Sequence, residues 1–324
     1  MIRMTCLLFC LAVSASVATS VAAEEPHPGS EEFVARVVAE HGLDADEVRA
    51  VLADASYQQA IIDAITRPAE ARPWHRYRPI FMTETRIAGG AEFWRANQAL
   101  LENVSERFGV PVEIIVAIVG VETNYGSNTG SYRVIDALAT LGFYFPRRAS
   151  FFASELGHFM SLAHEEELPI YEVRGSYAGA MGLGQFIPSS YRAYAVDFDG
   201  SGRRDLWRSL PDALGSVANY LAVHRWRAGE PIVLPVTTVP EGLDVEFGMT
   251  LDHTLADLAG MGIEFDQNGV DPNMRATLVT LETEDGNEYW LGLNNFYVIT
   301  RYNRSPLYAM AVTQLAEAIR ERAP

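Results

Sequence analysis

IIVAIVGVETNYG, residues 114–126, is a run of nearly pure hydrocarbon that ends in one carboxylate, Glu122, followed at once by a polar turn. Pro111 suits the first turn of a helix, so a helix is predicted over 111–124. One and two turns back from Glu122 stand Val119, Ile118, Ile115 and Ile114, so the acid continues an apolar stripe. A buried acid is costly unless it is paired or put to use. Burial, and a place near the helix C-terminus where the macrodipole disfavours negative charge, both favour the protonated carboxyl. A carboxylic acid still protonated near neutrality is what a general acid requires. The plainer alternative is a core glutamate tied to an arginine or to backbone amides.

Working outward, residues 31 to about 110 have apolar residues at three- and four-residue spacing, the pattern of a helical domain. RPWHRYRPIF (72–81) is a proline-bounded link within it. Residues 24–30, EEPHPGS, read as a disordered lead-in. Past Glu122, helices are predicted between 147 and 168, from Pro188, and over 211–229 with Asp212 as cap and Gly229 as stop. Short β-branched runs then occupy 231–293, with a hairpin expected to turn at Asp285-Gly286. Residues 294–324 return to helix. The expected fold is mainly α with a small β-rich domain.

The chain has 324 residues and a formal net charge of −17. Residues 1–23 have a basic start at Arg3, an apolar stretch and a small-residue end, Val21-Ala22-Ala23. They read as a secretory signal cleaved before Glu24. That places the mature protein, charge −18, in the periplasm as a soluble species. No later run is long and apolar enough to span a bilayer. Both cysteines, Cys6 and Cys10, fall in the leader, so disulfides, thiol catalysis and cysteine metal sites are excluded from the mature chain. A lipid anchor on Cys10 is disfavoured by Phe9, where such signals usually carry a small residue. So acidic a chain is a poor partner for nucleic acid or anionic membranes. Every basic residue is arginine, which excludes Schiff-base chemistry and a P-loop lysine. HEEE (164–167) is not HExxH, so a zinc site is not expected.

Two further stretches carry candidate ligand groups. GSYAGAMGLGQF (175–186) is rich in glycine, which lets backbone approach a ligand closely, and supplies Ser176 and Gln185 as neutral hydrogen-bonding groups. Its spacing is not the dinucleotide order. NNFYVITRYNRSPLYAMAV (294–312) clusters aromatic and amide side chains of the kind that stack on and bond to sugars, although such residues are also common in cores.

Together, GVETNYG, ALATLGFYFPRRASFF, GSYAGAMGLGQFIPSSYRAYAVDFDG, GSVANYLAVHRW and NFYVITRYNRSPLYAMAV resemble the lytic murein transglycosylase B family, in the family's order, from about 72 to 320. The resemblance implies a lysozyme-like catalytic core, over 111–230 and 294–324, beside the helical and β-rich domains. It implies cleavage of the bond between N-acetylmuramic acid and N-acetylglucosamine in peptidoglycan glycan strands, with formation of 1,6-anhydromuramic ends. By motif, Glu122 matches the single catalytic acid and base. Ser176 and Gln185 match site residues of the glycine-rich segment, and Tyr302, Asn303 and Tyr308 match cleft residues. Tyr220 and Tyr77 resemble further glycan-lining positions. A hydrolytic muramidase is the nearest rival and needs a second carboxylate within roughly 5–9.5 Å of the first, for which Asp136 and Glu155 are the first suspects. A catalytically silent peptidoglycan-binding or scaffolding protein is the rival of another class.

In DFDGSGRRDLWRSLPD (197–212), Asp197, Asp199, Ser201 and Gly202 match the first half of an EF-hand loop. The family carries a calcium loop here, which implies Asp197, Asp199, Ser201 and the Arg203 carbonyl as ligands of a structural Ca2+ that the chemistry does not require. The twelfth position is Arg208 where the pattern has Glu, so Asp205 or Asp212 must supply the missing carboxylate. A solvated acidic turn is the alternative.

Overall fold

The computed structural model describes residues 25–67, 69–243 and 249–323. The leader expected over 1–23, with Cys6 and Cys10, lies outside the described residues. Three helices open the fold: α1 (Ser30–His41), α2 (Ala45–Asp54) and α3 (Gln59–Ile65). They are followed by a short α4 (Trp74–Tyr77), then α5 (Glu84–Ala96), α6 (Gln98–Phe108) and α7 (Val112–Thr123). A two-residue strand, β1 (Tyr132–Arg133), leads to α8 (Val134–Tyr144) and α9 (Ala149–Glu165). It pairs antiparallel with β2 (Arg174–Gly175). Two helices follow, α10 (Pro188–Tyr194) and α11 (Leu210–Val223).

The β-rich part holds β3 (Val233–Thr238), β4 (His253–Thr254), a short α12 (Leu255–Gly260), β5 (Glu264–Phe265), β6 (Arg275–Thr283) and β7 (Gly286–Gly292). Its sheet is antiparallel in the order β4-β6-β7-β3-β5. Helices α13 (Asn294–Tyr302) and α14 (Pro306–Arg320) close the chain. The fold is mainly helical with one small antiparallel sheet, as expected.

Helix α7 is not a striped helix. Ile114 through Gly120 are buried on every side, because α5, α6, α11 and α14 surround it. An all-apolar helix has no solvent face to offer and belongs in the middle of a core. Only at Val121 and Glu122 does it begin to emerge. The large core runs without a break from α1–α3 through α7 to α14. Strand β6 alternates between two cores: Ala276 and Leu278 face a small one built with α12, while Val279 and Leu281 face the large one.

Several local expectations change. The lead-in at 25–30 is in place, not disordered: the buried His27 ring stacks on Phe143 at 5.0 Å and meets the Leu52 carbonyl and the Tyr144 hydroxyl, each at 3.1 Å. The hairpin pairs Thr283 with Gly286, so its two loop residues are Glu284 and Asp285, one position early. Its positive φ falls on Gly286, at the start of β7, and not within the loop. Helix α11 ends at Val223, well short of Gly229, where Arg225 takes a left-handed conformation. Its cap is Ser209, whose hydroxyl accepts from the Asp212 amide at 3.2 Å, which frees the Asp212 carboxylate for other work.

Gly120 is where α7 most needs a missing side chain. A Cβ there would lie 2.6 Å from the Tyr125 hydroxyl oxygen and 2.8 Å from its ring. That hydroxyl donates to the Arg86 carbonyl at 2.8 Å, and Arg86 in turn donates to the Gly120 carbonyl. Helix propensity alone would make Gly120→Ala stabilising by ~1 kcal/mol. Overpacking of this kind costs ~1–3 kcal/mol, so the clash offsets or exceeds the gain and a net loss of up to about 2 kcal/mol is expected. A urea melt measures it; a variant as stable as the parent would show that the Tyr125 contact yields freely.

Candidate active site

Glu122 stands at the last turn of α7, half-buried, where the core helix surfaces. Asn124, Tyr125 and Gly126 follow with three successive positive φ angles, which turn the chain sharply away. Amides of Asn124 and Tyr125 return to the Gly120 and Val119 carbonyls and close the helix end. Thr123, which sequence reasoning passed over, locks this end in place. Its hydroxyl reaches the Val119 carbonyl at 3.2 Å and the Leu183 carbonyl at 3.0 Å, and it accepts from the Gly126 amide at 3.1 Å. The glycine-rich segment is thereby bound to the turn that carries Glu122.

The partner of the Glu122 carboxyl comes from the far end of the chain. Tyr308 on α14 donates its hydroxyl to Glu122 Oε1 at 2.6 Å across 186 positions of sequence. Burial, and then the nearby Glu122 charge, hold the Tyr308 phenol well above its ordinary pKa. Tyr308 therefore keeps its proton and acts as a donor to Glu122, not as a base. Tyr302 is shifted in the same direction, first by burial and then by Glu122. Its hydroxyl donates to the Gly184 carbonyl at 2.6 Å. Gly184 allows that approach, because a Cβ there would sit 2.8 Å from the Tyr302 oxygen.

Tyr220 donates to the Arg301 carbonyl, and burial pushes its phenol up to about 12. Its ring packs edge-on against Tyr302 at 4.8 Å and Phe186 at 6.0 Å. Gln185, Tyr220 and Tyr302 line one cavity of about 160 Å³, together with Phe186 and Arg301. The structure thus brings Gln185, Tyr220, Tyr302, Tyr308 and Glu122 into one linked group. Tyr77 packs against Trp74 and Phe81 and lies near enough to Tyr308 to help hold that phenol's pKa up. Tyr77 and Tyr308 are only 1% and 2% exposed and Tyr220 8%, so these rings present little surface. Asn303 is half-exposed just past α13.

Two residues are engaged locally. The Ser176 hydroxyl oxygen accepts from the amides of Ala178 and Ala180 at 3.3 and 3.1 Å, shaping its own turn. Gln185, in a left-handed conformation, donates its side-chain amide to the Gly182 carbonyl at 2.9 Å and the Thr129 carbonyl at 3.2 Å. Phe186, next to Gln185, was also missed; its only sequence signal is that adjacency.

The two candidate second carboxylates have structural employment. Asp136 receives the Arg133 guanidinium at 2.9 and 2.7 Å and the Ser56 amide at 2.8 Å. Glu155 on α9 accepts from the Ser189 amide and hydroxyl at 2.9 and 2.7 Å, capping the first turn of α10. Burial raises the pKa of its carboxyl, and those bonds partly offset the shift.

In the 197–212 loop, carboxylate oxygens of Asp197, Asp199 and Asp212 lie within 4.8 Å of one another, so the three can hold a metal ion. Asp212 is fully buried and accepts from the amides of Phe198, Asp199 and Asp205 at 2.8, 3.3 and 2.9 Å. The Ser201 amide donates to both Asp197 and Asp199 at 2.9 Å, and its hydroxyl lies 3.4 Å from the Arg203 carbonyl. Of the two residues weighed for the missing carboxylate, Asp212 joins the cluster. Asp205 instead accepts from the amides of Trp207 and Arg208.

No helix among the described residues is long and apolar enough to cross a membrane. The Transglycosylase SLT domain family profile matches residues 26–317. The chain is 39% identical over 303 residues to the membrane-bound lytic murein transglycosylase B of Escherichia coli strain K12, covering 90% of this chain and 83% of the relative. The E. coli lytic transglycosylase Slt35, solved in complex with calcium, superposes with a TM-score of 0.82 at 39% identity, over 91% of this chain and 93% of that one. SltB3 from Pseudomonas aeruginosa, in complex with NAG-anhNAM-pentapeptide, superposes with a TM-score of 0.75 at 32% identity, over 90% and 79%. With a buried helix ending in one glutamate, a tyrosine-braced glycine-rich segment and matches that span the chain, this protein belongs to the lytic murein transglycosylase B family of enzymes.

Proposed function

We propose that the chain is a periplasmic lytic transglycosylase. It cleaves the β-1,4 bond between N-acetylmuramic acid and N-acetylglucosamine in peptidoglycan, leaves 1,6-anhydromuramic ends, and uses Glu122 as its single acid and base. The observation that carries this reading is the Tyr308–Glu122 hydrogen bond at the C-terminal end of α7, where the helix emerges from the core. The engagement of Asp136 and Glu155 elsewhere supports a one-carboxylate mechanism. The anhydro sugar in the SltB3 complex fits such a product, and its pentapeptide fits a substrate whose glycan strands carry peptides.

Protonated Glu122 gives its proton to the glycosidic oxygen as the bond from that oxygen to the anomeric carbon breaks. The substrate's 2-acetamido group assists at the anomeric carbon. The C6 hydroxyl oxygen of the same muramic residue then bonds to that carbon, and its proton returns to the Glu122 carboxylate. No water is consumed. The tethered hydroxyl needs no capture from solution, and well-oriented intramolecular attack is worth up to ~7–11 kcal/mol. Tyr308 donates to Glu122 while the carboxylate is charged and keeps it aimed. The proton balance predicts that sacculi digested in heavy-oxygen water yield 1,6-anhydromuramic termini with no label. Labelled reducing ends would establish the hydrolytic muramidase instead.

Glu122→Gln keeps an acceptor for the Tyr308 hydroxyl and removes the transferable proton. Digestion of sacculi should fall by at least ~100-fold, the lower range for a lost general acid, with folding and glycan binding retained. A variant that keeps a tenth of turnover has lost only ~1.4 kcal/mol of barrier stabilisation, and Glu122 would not be the acid. A silent scaffold would show no turnover in the parent chain either.

We also infer that the 197–212 loop takes one Ca2+ through Asp197, Asp199, Ser201, the Arg203 carbonyl and Asp212, with a structural role. With a serine among its early ligands and no Glu at its twelfth position, the loop should bind with a Kd of about 10⁻⁵–10⁻³ M. Calcium at a hundred times the Kd would stabilise the fold by ~2.7 kcal/mol. Melting in millimolar calcium should occur above melting in excess chelator, and Asp197→Ala should remove the difference. An unmoved parental melt would leave the loop an acidic turn.

A further inference from the structure

A polar cavity beside the 197–212 loop has no part in the reaction described above. It measures about 400 Å³ and lies between the 166–174 segment and the second half of the loop. Four arginines line it, Arg174, Arg203, Arg204 and Arg208, in a chain of net charge −17. Two of them brace the wall. Arg203 pairs with Glu167, and Arg204 donates to Glu166 at 2.6 Å and to the Arg192 carbonyl at 3.2 Å. The other two retain donors. Arg208 has no side-chain partner among the described residues, and Arg174 gives one N–H group to the Ser131 carbonyl. An arginine carries five such donors. Glu172, also in the lining, likewise has no side-chain partner among the described residues. The half-buried Trp207, its ring 5.8 Å from Tyr191, supplies an aromatic wall.

Arg208 occupies the position that departs from the EF-hand pattern. A Glu normally folds back onto the ion there. In this chain Asp212 joins the acidic cluster in its place, and Arg208 lines the cavity. The departure moves one side chain from ion ligation to a neighbouring recess. Four acidic side chains, Glu166, Glu167, Glu172 and Asp205, balance the four arginines in the lining. A compact dianion therefore meets no net positive field. A group with a carboxylate and an ammonium meets complementary partners, because guanidinium pairs with carboxylate in a planar fork.

We propose that this cavity binds a carboxylate-bearing peptide, with its carboxylate on Arg208 and Arg174 and a side-chain amino group on Glu172. The proposal rests on the peptidoglycan reading, in which the glycan strands carry peptides. It gives the enzyme a contact with the peptide part of its substrate, separate from the glycan contacts around Glu122.

The test is calorimetric titration of the full chain with an alanine-rich pentapeptide that has an acetylated N-terminus, one side-chain amine and a free C-terminal carboxylate. Saturable binding is expected. Arg208→Ala and Arg208→Gln should each weaken it by at least about tenfold, the loss of one charged hydrogen bond. Amidating the peptide's C-terminus should do the same. Glu172→Gln should weaken this peptide and leave the form acetylated on its side-chain amine unaffected. Both Arg208 variants should keep the parental calcium-dependent melt, since Arg208 is outside the proposed ligand set. Equal binding by the Arg208 variants would overturn the proposal, as would inorganic phosphate displacing the peptide at equal concentration. Peptide binding without anhydromuramic products would sink the reaction reading and leave this site standing. Anhydromuramic products without peptide binding would do the reverse.

Discussion

Everything at this site depends on the complete burial of α7. A helix walled in by α5, α6, α11 and α14 has nowhere to place a charge except where it leaves the core. Glu122 is at that exit, and the chain must turn at once, through three left-handed residues, to avoid re-entering apolar surroundings. The turn is then held from outside. Thr123 ties it to the glycine-rich segment, and Tyr308 reaches the carboxyl from α14, which packs along α7. The rigidity of the acid comes from the packing of its helix, and its chemistry comes from the end of that packing.

The tyrosines follow from the same constraint. A buried phenol must find an acceptor or lose the free energy of its hydration. Tyr308, Tyr302 and Tyr220 find Glu122, the Gly184 carbonyl and the Arg301 carbonyl. Two of those bonds hold backbone, so the rings fix the shape of the site more than they present surface to it. Their phenols stay protonated, so they act as donors in this cluster.

The buried acids show why an acid inside an apolar run is an ambiguous signal. Among the described residues the buried ones are Asp136, Glu155 and Asp212, and each accepts backbone amides or an arginine. Each satisfies the plainer alternative first weighed for Glu122. What separates Glu122 is partial exposure at a helix end and a tyrosine hydroxyl bonded to its carboxyl. Neither property is local to the sequence.

Periodicity, glycine and proline placement and β-branched runs were enough to foresee a mainly helical chain, its small sheet and the helix that ends in Glu122. These signals are local: they depend on residues within a turn or a strand of one another. The family resemblance placed Ser176, Gln185, Tyr302 and Tyr308 at the site, but it could not show that the Ser176 oxygen is engaged by its own turn or that Tyr308 meets the carboxyl itself. Asp212 was read both as a helix cap and as a candidate for the loop's missing carboxylate, because sequence alone does not say which way it turns; the structure gives the cap to Ser209 and turns Asp212 into the loop. The lead-in around His27 looked disordered because its partners, Phe143 and Tyr144, lie more than a hundred residues away. The sequence by itself determined which segments form helices and strands and where an acid interrupts an apolar run. Only the tertiary structure decided which acids are buried and satisfied and which one is part-exposed against Tyr308, because a buried charge is assigned its role by partners that folding brings from elsewhere in the chain.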